Sequence, residues 1–124
     1  MPDTQIADDV RDFILERIDS VAQIEALLLI RSNPRARFHA ADIARRLYSG
    51  RLAVEEALSG LCGAGLLVRV DDTYRLDGVP ASTLTLIDRL LDSYSRHLIP
   101  VTNIVHSKLR RASARMAPRG RTET

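Results

Sequence analysis

The sequence predicts a mainly helical domain that carries one short β-hairpin. Apolar residues recur every three to four positions in five segments, which is the spacing of amphipathic helices. One further stretch of branched and aromatic residues is split by Asp71-Asp72, as a hairpin turn requires. The chain has 124 residues, the length of one domain, and its 45% hydrophobic and 27% charged residues are typical of globular proteins.

The first two predicted helices occupy the amino-terminal quarter of the chain. Residues 1–19 form an amphipathic helix, with Asp3 or Thr4 expected as its cap. The second helix begins at Ser20, because Ser20 and Gln23 fit the S-x-x-Q capping box, in which both side chains satisfy free backbone N–H groups. Both helices are expected to bury one apolar face.

Two shorter helices and the hairpin follow, up to residue 77. Asn33-Pro34 ends the second helix, since a residue before proline is pushed out of the helical region. Gly63-Ala64-Gly65 ends the fourth helix, because glycine adopts the left-handed cap conformation readily. The expected segments are an extended stretch over 35–39, a helix over 40–48, a turn at 49–50, a helix over 52–62 and hairpin strands over 66–70 and 73–76.

A long carboxy-terminal helix is predicted over residues 82–107. Its heptad stripe exceeds what a small domain covers, so it predicts a homodimer interface made of Leu84, Ile87, Leu91, Tyr94, Leu98, Val101 and Val105. Pro100 lies inside this helix, where proline costs about 3 kcal/mol. We expect a kink near His97 or a short break, and the unbroken phase of the stripe favours the kink.

The order of elements over residues 20–77 is that of a winged helix-turn-helix domain. Residues 38–47, Phe-His-Ala-Ala-Asp-Ile-Ala-Arg-Arg-Leu, resemble the first helix of that motif. Residues 57–69, which end in Gly-Leu-Leu-Val-Arg, resemble its second helix leading into the wing. With the flanking helices, the layout is similar to MarR-like and PadR-like bacterial regulators, whose terminal helices form the dimer. The resemblance implies a small dimeric transcriptional regulator that binds duplex DNA.

In this fold the second helix of the motif enters the major groove and the wing touches the DNA backbone. The resemblance therefore implies a recognition face made of Arg51, Ala53, Glu55, Glu56, Ser59 and Gly60. It implies phosphate contacts from Arg35, Arg37, Arg45, Arg46, Arg69 and Arg75. Glu55, Glu56 and the Asp71-Asp72 wing tip have the wrong sign for phosphate. A second interpretation, a winged helix that binds protein rather than DNA, therefore stays open.

The net charge of +2 hides an uneven distribution along the chain. Residues 1–30 hold seven acids and two arginines, residues 31–78 eight arginines and six acids, and residues 79–124 eight basic residues and three acids. Residues 108–124 alone hold six basic residues and one acid, which predicts a basic tail. Such a tail either adds phosphate contacts or solubilises the terminus.

The sequence contains no pattern of residues typical of catalysis, metal binding or membrane insertion. Cys62 is the only cysteine, so neither an intrachain disulfide nor a multi-cysteine zinc site can form. His97 and His106 are nine residues apart and face different directions on a helix. We expect a cytoplasmic protein that is not an enzyme and has no cofactor, metal or membrane partner.

Overall fold

The computed structural model describes residues 6–108 and shows a mainly helical chain with one two-stranded antiparallel sheet. The elements in chain order are α1 (Asp8–Arg17), α2 (Val21–Ser32), α3 (Ala40–Leu47), α4 (Arg51–Gly63), β1 (Val68–Val70), β2 (Thr73–Arg75), α5 (Ala81–Arg96) and α6 (98–108). α1 packs on α5, and α2 packs on α3, α4 and α5. One apolar core therefore joins both ends of the described chain.

The start of α2 is held by the predicted capping residues. The Ser20 hydroxyl accepts a hydrogen bond from the Gln23 backbone N–H at 3.2 Å. The Gln23 amide oxygen accepts from the backbone N–H of Asp19 at 2.6 Å, one residue earlier than the capping box predicts. The other expected caps, Asp3 and Thr4, lie outside the described residues, and α1 begins at Asp8.

Helices α3 and α4 are joined by a tight turn whose first residue is strained. Tyr48 ends α3 in the left-handed conformation, with φ of 54°, which an aromatic residue rarely adopts. At the other end of α3, the Asp42 carboxylate accepts from the His39 backbone N–H at 3.0 Å. This bond satisfies one free donor at the helix start, so both ends of α3 are defined locally.

The hairpin forms around the predicted two-residue turn, with strands shorter than the expected 66–70 and 73–76. Val68 pairs with Arg75 and Val70 with Thr73. Asp71 and Asp72 both have positive φ, 51° and 65°, the conformation that type I′ hairpin turns need and that aspartate tolerates. The extended stretch expected over 35–39 is reduced to a single bridge between Phe38 and Tyr74.

Of the two alternatives expected near His97, the short break occurs and the favoured kink is wrong, so residues 82–107 form two helices rather than one. His97 has φ of −135° and ψ of 59°, which ends α5, and α6 starts at the next residue. The break places Pro100 in the first turn of α6, where a helix needs no backbone donor from that residue. A short break therefore avoids the cost that a kinked continuous helix would carry.

Polar contacts also tie the carboxy-terminal helices to the rest of the fold. The Tyr94 hydroxyl on α5 donates to the Glu25 carboxylate on α2 at 3.1 Å, and burial followed by this carboxylate raises the pKa of Tyr94 to about 12. At the end of the described chain, Lys108 Nζ donates to the Ile18 carbonyl at 2.8 Å and to the Asp19 carboxylate at 3.0 Å. Over residues 6–108, no helix has the length and apolar character needed to cross a membrane.

Candidate functional site

A cleft lies between α4 and the hairpin, with the amino terminus of α3 beside it. We call it the α4–hairpin cleft; its volume is about 460 Å³ and its lining residues are His39, Ala40, Arg51, Glu55, Ser59, Arg69, Asp72 and Tyr74. Seven arginines and Ser59 are the polar residues expected to contact DNA, and three of these eight, Arg51, Ser59 and Arg69, lie on this cleft. The fold thus brings together side chains from two segments about ten residues apart in the sequence.

The remaining predicted contacts fall in three places. Arg45 and Arg46 are exposed on α3, and Arg35 and Arg37 are exposed in the segment before the Phe38 bridge. The third place holds Arg75, which is half-buried, whereas the other four arginines are exposed. It lines a separate cavity of about 150 Å³, away from the cleft, with residues that include Ile30, Pro34 and Gly78. Its buried Nε atom has no hydrogen-bond partner within residues 6–108.

Three of the arginines are paired with carboxylates on their own element. Arg45 contacts Asp42 at 2.6 Å and Arg51 contacts Glu55 at 3.0 Å. Arg69 contacts Asp72 across the hairpin turn at 2.5 Å. The hydrogen bond from the His39 backbone, followed by the Arg45 charge, lowers the pKa of the Asp42 carboxyl, and Arg69 lowers the pKa of the Asp72 carboxyl.

These pairs are exposed, so water screens them and a phosphate can replace the carboxylate as the partner of each arginine. Over residues 38–75, five arginines are matched by five carboxylates. The surface is therefore a mosaic of both charges rather than a uniformly basic face. Three other arginines expected to contact DNA are exposed: Arg35, Arg37 and Arg46. None of them forms an ion pair with another residue in the described part of the chain.

Two arginines lie over the aromatic bridge that joins the hairpin to the start of α3. The Arg46 guanidinium is 5.8 Å from the centre of the Phe38 ring, and the Arg69 guanidinium is 6.0 Å from the centre of the Tyr74 ring. Phe38 and Tyr74 are themselves buried and paired. The rings restrict where these two arginines can lie, so their charges are positioned even though their ends are exposed.

The exposed face of α4 differs at two positions from the one expected. Gly60 faces inward, because a Cβ placed on it would lie 2.6 Å from the Gln23 amide nitrogen on α2. Leu52 is 77% exposed and lies on the same face as Glu56 and Ser59, four and seven residues later. Helical spacing alone places Leu52 on this face, although its apolar side chain suggests burial. Next to it, Tyr48 is 95% exposed at the α3–α4 turn.

Most residues of the heptad stripe are buried within a single chain. The dimer prediction assumes that this stripe is left exposed, and that assumption is wrong. Ile87, Leu91, Tyr94, Val101 and Val105 are all buried in the core of a single chain. Leu84 is half-buried, and Leu98 is 51% exposed beside the His97 break. The sequence suggests a free stripe because its partners, α1 and α2, are far away along the chain. The stripe therefore does not require a second copy, and the homodimer stays a prediction.

Metal and thiol chemistry receive no support from the described residues. Between residues 6 and 108, no cluster of three or more His, Cys, Asp or Glu side chains is placed to hold a metal ion. Cys62 is half-buried, and burial raises the pKa of its thiol despite the opposing charge of Arg69. A raised thiol pKa keeps the reactive thiolate scarce at neutral pH.

Comparison of the chain with protein families, with curated proteins and with solved structures finds no match. Function is therefore inferred from the geometry of the surface that α3, α4 and the hairpin form.

Proposed function

We propose that this protein is a small transcriptional regulator that binds duplex DNA through a winged helix-turn-helix domain. On this proposal α3 and α4 are the two helices of the motif, α4 enters the major groove, and the β1–β2 hairpin is the wing. The observation that carries the proposal is an exposed α4 face that lies between exposed Arg45 and Arg46 on the adjoining α3 and Arg69 on the hairpin side of the cleft. A recognition element between two sets of phosphate-binding side chains has this arrangement.

The mixed charge of the surface is compatible with this function. The carboxylates that pair with these arginines are exposed or half-buried, and DNA phosphates offer arginine a bidentate acceptor in their place. Arg46 and Arg69 are pre-positioned by Phe38 and Tyr74, which reduces the entropy lost when they bind a phosphate. Binding is expected to be weak on random sequence and strongly dependent on salt.

The direct test is the affinity of the full chain for random duplex DNA over a series of salt concentrations. Each phosphate contact contributes about 0.9 to the slope of log affinity against log salt. The double variant R45A/R46A should weaken binding to every sequence and reduce this slope by about 2. Affinity that does not change with salt would contradict the proposal.

The chain offers a matched control for this measurement. Arg51 on α4 and Arg96 on α5 are both exposed and both contact a carboxylate four residues away, at 3.0 and 3.1 Å. Arg51→Ala should weaken DNA binding, and Arg96→Ala should leave it unchanged. Equal effects of the two variants would assign the binding to overall charge rather than to α4.

A second function, binding of a protein partner by the same domain, is favoured by one specific observation. Leu52 is exposed beside Glu55 and Glu56, and Tyr48 is exposed at the turn before α4; this combination is suited to a basic, partly apolar peptide. The charge reversal E55K/E56K separates the two functions. It should strengthen binding to random duplex DNA, whereas it should abolish binding to a basic protein partner.

A further inference from the structure

The exposed surface of α4 includes Arg51, Leu52, Ala53, Glu56 and Ser59. Leu52, Glu56 and Ser59 lie on one arc of the helix, whereas Val54, Leu58 and Leu61 are buried on the other side. Leu52 is in the first turn of α4. It is 77% exposed, which is unusual for a leucine, because no described neighbour covers it. In helix-turn-helix proteins, the first residues of the second helix contact base edges.

The two adjacent glutamates of α4 are not equivalent. Glu55 accepts a hydrogen bond from Arg51 at 3.0 Å and lines the α4–hairpin cleft. Glu56 is exposed and forms no hydrogen bond or ion pair with any side chain in the described part of the chain. Its carboxylate is therefore the free acceptor on the outer face of the helix, one turn after Leu52.

We propose, on the basis of the DNA-binding function above, that Leu52 and Glu56 determine which bases α4 recognises. Leu52 contacts the C5-methyl group of thymine, which is the only apolar group that a base presents in the major groove. Glu56 accepts a hydrogen bond from the N4 amino group of cytosine, the pairing that glutamate makes in this groove. The ligand is thus duplex DNA that contains both a thymine and a cytosine at defined positions.

The spacing of the two bases follows from helix geometry. Leu52 and Glu56 are four residues apart, which separates them by about 6 Å along the helix axis. Successive base pairs rise by about 3.4 Å. A helix that lies along the groove therefore places the thymine and the cytosine about two base-pair steps apart.

The experiment begins with selection of bound sequences from a random duplex library by the full chain and its variants. The wild type should enrich sites that contain the thymine and the cytosine at this spacing. Leu52→Ala should lose the preference for thymine only. Glu56→Gln should change cytosine to adenine at its position, because an amide pairs bidentately with adenine. Both side chains are exposed, so the variants should fold normally.

A second measurement isolates the methyl group. Replacing the selected thymine by uracil removes only the C5-methyl, and it should weaken wild-type binding about fourfold, the value of one buried methyl group. The same replacement should have no effect on Leu52→Ala. Ile99→Ala, which alters another exposed apolar residue away from α4, should keep the full fourfold effect.

The outcomes separate this inference from the function on which it rests. Salt-dependent binding to DNA without a thymine and cytosine preference, or a preference that L52A and E56Q leave unchanged, would overturn the inference alone. Absence of duplex binding would overturn the proposed function and the inference together. Loss of the thymine preference in L52A with a cytosine-to-adenine change in E56Q would support both.

Discussion

The contact between Gly60 on α4 and Gln23 on α2 predicts a stability effect whose sign depends on both residues. Gln23 is 2% exposed and bridges the two helices: its amide oxygen accepts from Asp19 N–H at 2.6 Å, and its Nε2 donates to the Ala57 carbonyl at 3.3 Å. A Cβ on Gly60 would lie 2.6 Å from that Nε2. Gly60→Ala must therefore displace the amide and disturb both hydrogen bonds.

The size of the effect is set by two opposing contributions. Disturbing one buried and one part-buried hydrogen bond costs about 2–3 kcal/mol, since each contributes about 1 kcal/mol and the Gln23 amide stays buried. Replacing glycine by alanine in a helix interior contributes about 1 kcal/mol in the opposite direction. We expect Gly60→Ala to destabilise the wild-type chain by about 1–2 kcal/mol. In a Gln23→Ala background the same change should stabilise by about 1 kcal/mol.

Urea unfolding followed by far-UV circular dichroism measures this effect when it is applied to the double-mutant cycle of the two positions. The coupling free energy should be about 2–3 kcal/mol. Gly63 provides the matched control, because it lies on the same helix and a Cβ there meets no atom within 4 Å. A Gly60→Ala variant as stable as Gly63→Ala, or a coupling below about 0.5 kcal/mol, would contradict this explanation.

Three further predictions concern the carboxy-terminal part of the chain. The pKa of Tyr94 is raised from 10 to about 12, so its protonated hydroxyl contributes roughly 2–3 kcal/mol to the free energy of unfolding below pH 10, and this contribution disappears as pH rises to 12. The free energy of unfolding measured against pH should show this decrease in the wild type but not in Tyr94→Phe. The exposed Tyr48→Phe is the control. Val101→Ala should destabilise the chain by about 2 kcal/mol independently of protein concentration, because Val101 is buried within one chain. Leu98→Ala should destabilise it by less than about 1 kcal/mol, because Leu98 is half-exposed. Sedimentation equilibrium tests the homodimer directly. Ending the chain at Lys108 should lower the salt slope of DNA binding by about 0.9 for each phosphate that the basic tail neutralises in the full chain; an unchanged slope would assign the tail a solubilising role.

The elements that could be predicted from the sequence are those whose cause is local. Ser20 and Gln23 cap α2 because their backbone partners are within four residues, and Asn33-Pro34 ends the same helix for an equally local reason. The Asp71-Asp72 turn is fixed by the left-handed conformation that aspartate tolerates. These features need no knowledge of the rest of the fold.

The features that escape prediction depend on distant partners. The heptad stripe looks like a dimer seam because nothing in the local sequence shows that α1 and α2 pack on α5, or that Ile87, Val101 and Val105 are buried within one chain. Pro100 predicts an interruption near His97, but the unbroken phase of the stripe favours a kink where the structure has a short break. In the candidate site, the cleft joins α4 to a hairpin about ten residues further along the chain, so local patterns do not show it.

The contact of Lys108 with the Ile18 carbonyl and the Asp19 carboxylate fixes the point from which the basic residues beyond it begin. That point is the corner between α1 and α2, beside the most acidic part of the sequence, rather than next to the hairpin. A phosphate that binds Lys108 therefore competes with the Asp19 carboxylate and the Ile18 carbonyl for the same ammonium group.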